Sequence, residues 1–125
     1  MKDSKTILMQ GQHLVLAQIV RVESIVNYSR IFSIGRYPII ISKALKEVEL
    51  ILQPFGFLRV HRSHLVNKDY IKAVEDTFIT MEDKSVIAIS RRKKKQVMMD
   101  LTQNDSIVEM HNAEFKKTGL SFEFA

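Results

Sequence analysis

Between Phe57 and Ile71 the chain reads Phe-Leu-Arg-Val-His-Arg-Ser-His-Leu-Val-Asn-Lys-Asp-Tyr-Ile, and this stretch narrows the possible folds more than any other. Leu58, Val60, Leu65 and Val66 can be buried as strand residues, since side chains of this kind fit a pleated surface. Arg59, His61, Arg62, Ser63, His64 and Asn67 must then emerge at the surface or at a strand end. Few surfaces need so many donors with Asp69 as the sole carboxylate nearby. A nucleic-acid backbone is one, because phosphates accept hydrogen bonds and reward positive charge.

Length and charge set the outer limits. At 125 residues the chain has room for one domain and a proper core. Its 46% hydrophobic and 26% charged residues are those of a globular chain, which argues against wholesale disorder. No apolar run approaches the ~20 residues that cross a bilayer, so no membrane partner is expected. The first six residues, Met-Lys-Asp-Ser-Lys-Thr, lack the apolar stretch of a signal peptide. With no cysteine there is no disulfide framework, and the expected location is the cytoplasm. The net charge of +5 favours a polyanionic partner. Arg91, Arg92, Lys93, Lys94 and Lys95 stand in a row, while Glu47, Glu49, Glu75, Asp76, Glu82 and Asp83 lie elsewhere. That segregation suggests a basic face, although a basic run is equally compatible with a merely solvated surface.

The pattern along the chain is rich in β signals. Residues 19–24 and 28–34 mix β-branched and polar side chains in strand-like alternation. Gly35 marks a turn, and residues 37–41 return as a third strand with Pro38 at an edge or at the strand's start. Ser42 is suited to cap a helix over residues 43–52, whose Leu45, Val48, Ile51 and Leu52 share one stripe. Pro54 and Gly56 end that helix. Residues 57–61 read as a strand, followed by a polar knot at 62–64 and an extended piece at Leu65 and Val66. Further strands are expected at 71–75, 78–81 and 85–89, with a hairpin turn at 82–84. Ser90 can cap a short helix over 91–101 that turns Val97, Met98 and Leu101 inward. Residues 102–106 read as a loop. Beyond it, Ile107, Val108 and residues 122–124 either dock as strands or stay loose.

The run Arg59-Val-His-Arg-Ser-His-Leu-Val-Asn67, with Tyr70 and Ile71 after it, resembles the signature of LytTR-type DNA-binding domains. Val22 and Glu23, then Asn27, Tyr28 and Ser29, resemble the family's first strand pair and its loop. Residues 42–52 resemble its core helix and residues 89–93 its closing strand-to-helix segment. The resemblance covers residues 19–101, leaving 1–18 as an N-terminal extension and 102–125 as a C-terminal one. It implies a mostly β, elongated antiparallel multi-sheet fold with one core helix and a short C-terminal helix. It also implies a bacterial transcription regulator that needs no cofactor. Such a domain binds double-stranded DNA through loops entering the major groove, on repeated half-sites and as a dimer on the DNA. Most relatives are output halves of two-component response regulators. This chain is too short to hold a receiver domain as well, so it reads as a stand-alone regulator or an excised output domain.

Carried over residue by residue, the resemblance makes Asn27, Tyr28, Arg62 and Arg91 the candidate base readers. Arginine can donate two parallel hydrogen bonds to guanine, and asparagine can pair in the same bidentate way with adenine. Arg30, Ser63, His64, Arg92, Lys93, Lys94 and Lys95 are candidate phosphate contacts, which set register without reading sequence.

Plainer readings stand beside these. His61 can be a core histidine satisfied by the backbone, supporting the loop that bears Arg62. Asn67 can close a turn, Asn27 can be turn chemistry, Tyr28 can simply pack, and Arg59 can pair with Glu23 or Glu75. A metal site is not expected, because no helical His-x-x-x-His motif occurs and strand geometry would turn His61 and His64 apart. Ser63 lacks a nucleophile-elbow pattern and no phosphate-binding glycine loop is present, so neither catalysis nor a small-molecule substrate is expected. The competing functional class is a β-rich interaction or sensory module that docks its basic face on an acidic protein, RNA or membrane surface.

Overall fold

Short alternating segments need partners before they can bury a face, and the chain supplies them as hairpins. The structure, a computed structural model, describes residues 5–102. It opens with β1 (Thr6–Met9) and β2 (Gln12–Val15), paired antiparallel through a turn at Gln10 and Gly11. Both turn residues have positive φ, 52° and 76°, the geometry of a tight hairpin turn that glycine adopts without strain. A single 3-10 turn, Leu16–Gln18, leads into β3 (Ile19–Ile25) and β4 (Tyr28–Ser33), then β5 (Ile39–Ile41) and α1 (Leu45–Leu52). After a 3-10 turn at Gln53–Phe55 come β6 (Phe57–His61) and β7 (His64–Asn67). A third 3-10 turn precedes β8 (Ile71–Val74), β9 (Phe78–Met81), β10 (Val86–Ala88) and α2 (Lys94–Thr102).

These strands make three antiparallel sheets, so the chain has the mostly β, multi-sheet architecture expected of it. The β1–β2 hairpin is one, β10-β9-β8 a second, and β5-β4-β3-β7-β6 the largest. The five-stranded sheet divides two cores, which is why neighbouring residues of its strands are both apolar. Phe57 and Leu65 face a core made with Val22, Ile31 and Ile41, the α1 residues Leu45, Val48 and Leu52, and the first hairpin. Leu58 and Val66 face the other, made with Val60, Ile71, Ile79, Met81, Ile87, Val97 and Leu101 of β6, the small sheet and α2.

Several local expectations shift. Ser42 does not cap α1: Ala44 is the N-cap and has no side-chain oxygen to accept a first-turn N–H. Tertiary bonds hold the entry extended instead, with the Ser42 N–H donating to Gln10 Oε1 (2.6 Å) and Ser29 Oγ donating to the Lys43 carbonyl (2.7 Å). The buried stripe of α1 is Leu45, Val48 and Leu52, with Ile51 exposed one step round the helix. At its end Gly56 takes φ 91° and reverses the chain. Pro38 lies just before β5, an edge strand, as a residue without an amide proton should. Ser90 Oγ does accept the Lys93 N–H (3.1 Å), but residues 91–93 form a turn and the helix starts at Lys94. Within 1–18, read as an extension, the first hairpin buries Met9 and Leu14, and Leu16 follows them into the same core. The readings made for residues 103–125 lie outside the described residues.

Candidate nucleic-acid interface

The strand registers carry three separate turns to one end of the large sheet. Ile25 pairs with Tyr28, so Val26 and Asn27 form the two-residue β3–β4 tip. His61 pairs with His64, so Arg62 and Ser63 form the β6–β7 tip. Glu23 pairs with His64, which sets the two tips side by side, and the Ser24 N–H donates to the Ser63 carbonyl (2.9 Å). The third segment arrives through a bulge in β6 between Arg59 and His61. There the Val60 carbonyl accepts the Ser90 N–H (2.9 Å), so residues 91–93 start beside the end of β6. Asn27, Tyr28, Arg62, Arg91 and Arg92 are all exposed.

The β6–β7 tip is held from behind. Arg59 donates through Nε to the His61 carbonyl (3.0 Å) and through Nη2 to the Arg62 carbonyl (2.6 Å), while Nη1 pairs with Glu49 Oε1 of α1 (2.7 Å). Its carboxylate partner is therefore Glu49, neither Glu23 nor Glu75, because Arg59 shares the face of β6 on which Phe57 packs against α1. The Ser63 N–H donates to His61 Nδ1 (3.1 Å), so His61, half-buried, braces the turn that presents Arg62. Asn67 at the other end of β7 is buried, accepting the Asp69 N–H (3.0 Å) and donating to the Ile19 carbonyl (2.8 Å).

His61 and His64 do not turn apart. A two-residue turn puts them opposite each other in register, with ring centroids 5.3 Å apart. Among the described residues no group of three or more His, Asp or Glu converges as metal ligands would. Burial pushes the His64 pKa below 6.5, His61 and Arg21 push the same way, and Glu23 opposes them. As a neutral imidazole His64 contributes a hydrogen-bond donor to this surface, not a charge. Because folding depresses this pKa, the unfolded chain takes up the proton first. The stabilisation is complete above about pH 6.5 and is lost as pH falls through the folded-state value. The wild-type melting temperature should therefore drop on acidification below pH 6.5, and that of His64→Gln should drop less. Equal slopes in the two proteins would assign the effect to other groups.

Two candidate phosphate contacts already have partners. Glu23 Oε2 pairs with Arg30 (2.9 Å) and its Oε1 with Arg21 (3.2 Å), whose guanidinium lies 3.7 Å over the Phe32 ring. Lys94 pairs with Asp76, an exposed contact of the kind worth little. One cation went unnoticed in the sequence: Lys43 follows β5 and reaches the same end, because Ile41 pairs with Ser29. Only that register could have revealed it.

With this geometry in view, the relatives are informative. The family model described as the LytTr DNA-binding domain matches residues 12–102, and the chain belongs to that family. It is therefore a DNA-binding regulatory domain. Among solved structures the chain is similar to one described as the LytTr DNA-binding domain of a methyl-accepting/DNA response regulator from Bacillus cereus. The two share 18% identity with a TM-score of 0.60, over 77% of this chain and 93% of that one, so the likeness concerns the fold. No curated protein matches. No helix among the described residues is long and apolar enough to cross a membrane.

Proposed function

We propose that this domain controls transcription by reading double-stranded DNA sequence-specifically, its turns entering the major groove. The observation that carries the reading is the convergence of the β3–β4 tip, the β6–β7 tip and residues 91–93 at one end of the large sheet. Each brings an exposed bidentate donor, Asn27, Arg62 or Arg91, and Tyr28 stands beside the first. Ser63, His64, Arg92, Lys93 and Lys95 flank these as phosphate contacts, while Arg30 and Lys94 would join them on exchanging their carboxylates for phosphate. A small reading surface specifies few base pairs, so repeated half-sites filled by two copies on the DNA complete the proposal.

Selection of bound duplexes from a random pool tests this directly. The expected result is an enriched motif, repeated at about one helical turn. If ~6 phosphates are neutralised, log affinity should fall against log salt with a slope of roughly −5. No enrichment, with equal salt-sensitive binding to winner and scrambled duplexes, would leave only a generic basic face. On the selected duplex, Arg62→Ala and Arg91→Ala should each cost ~1–3 kcal/mol and relax preference at one base step. Equal loss on random DNA would remove them from the base-reading set.

A further inference from the structure

Val26 is out of place as an ordinary turn residue. It is 84% exposed, at the very tip of the β3–β4 hairpin. Its φ is 54°, in the left-handed region where a β-branched side chain crowds its own backbone. Glycine, asparagine or aspartate ordinarily fills such a place. Among the described residues the other non-glycine positions with positive φ are Gln10 and Lys84, both unbranched at Cβ and polar. The position thus carries backbone strain and bare apolar surface together; Ser24 Oγ donates to the Val26 carbonyl (3.5 Å), yet the side chain stays in solvent.

Its neighbours say where an apolar knob would be useful. Asn27 and Tyr28 are exposed beside it, and the Ser24–Ser63 bond holds the turn against the one that carries Arg62. Val26 is the aliphatic point in a row of hydrogen-bonding groups. The major groove offers one matching landmark, the C5-methyl group of thymine. We propose that Val26 is a specificity determinant that packs on a thymine methyl while Asn27 and Arg62 engage adjacent base edges. The inference rests on the reading above, that this tip enters the major groove. Cytosine at the same step presents an amino donor and no methyl, so Val26 would leave that donor unsatisfied.

The test replaces each thymine of the selected duplex in turn by deoxyuridine, which removes the methyl and nothing else. Wild-type protein should lose about four-fold in affinity at one position, the worth of one buried methyl group. Val26→Gly should bind the all-thymine duplex more weakly and be indifferent to uracil at that position. Its melting temperature should equal or exceed the wild-type value, because glycine relieves the positive φ. A wild-type protein indifferent to every uracil, or a Val26→Gly protein with unchanged sensitivity, would overturn the role of Val26 while sequence-specific binding stood. The wild-type scan decides even if the variant folds poorly. If random-pool selection enriches no duplex, the major-groove reading falls and this inference falls with it.

Discussion

Leu65→Ala should lower the unfolding free energy by about 2–5 kcal/mol. Leu65 is fully buried in β7, and its core includes Leu45, Val48 and Leu52 of α1 and Val22 of β3. Truncation removes the transfer energy of the side chain and leaves a cavity walled by a sheet and a helix. Neither wall can close easily. The sheet is pinned by the β3–β7 and β6–β7 pairings, and the helix entry is tied down by the Ser29–Lys43 bond. Equilibrium urea unfolding would report the loss as a lower midpoint at unchanged slope. A loss under about 1 kcal/mol would mean that α1 collapses onto the gap, and that the helix is held more loosely than its contacts indicate.

Arg59→Met should cost about 2–3 kcal/mol, because it strands the half-buried Glu49 carboxylate and frees two carbonyls at the β6–β7 tip. Methionine keeps much of the aliphatic stem, so the loss reads the polar clamp more than the packing. The second consequence is functional. Arg59 has its donors committed to the tip and to α1, yet removing it should weaken specific DNA binding, since Arg62 is then presented by an unbraced turn. Arg62→Ala should weaken binding at little cost to stability. A variant at position 59 that keeps both full stability and full binding would show that the turn is set by its own two residues.

Much of the candidate site was legible before any fold was known. The donor-rich stretch over residues 57–71 demanded strands ending in an exposed polar tip, and Arg62 and Ser63 form that tip. The supporting roles given to His61 and Asn67 hold as well. His61 accepts from the Ser63 backbone, and Asn67 closes the turn at Asp69. The Ser63 and Asp69 partners lie within two residues, so local sequence could supply them, whereas the Ile19 carbonyl that Asn67 also reaches is 48 residues away. Less was legible where the partner is distant. Glu49 is ten residues from Arg59, and no periodicity links them. Ser42 looked like a helix cap, yet a glutamine thirty-two residues away takes its N–H and holds that segment extended. The first hairpin was missed because β1 and β2 are four residues each, too short for alternation to stand out.

The amino-acid sequence by itself determined the class of this protein: mostly β, basic, with its hydrogen-bonding residues gathered at a few turn signals. Those properties depend on side-chain chemistry and short-range periodicity, which are written along the chain. Only the tertiary structure decided that Asn27, Arg62 and Arg91 share one end of a sheet, and that Val26 stands exposed beside the first of them in a strained turn. It also decided which cations already hold carboxylates, as Arg30 and Lys94 do. The physical reason is register. A one-residue slip in the β3–β7 pairing would turn Val22 out of its core and aim the charged Arg21 and Glu23 into it. The two buried cores therefore select a single alignment, and that alignment sets the tips side by side.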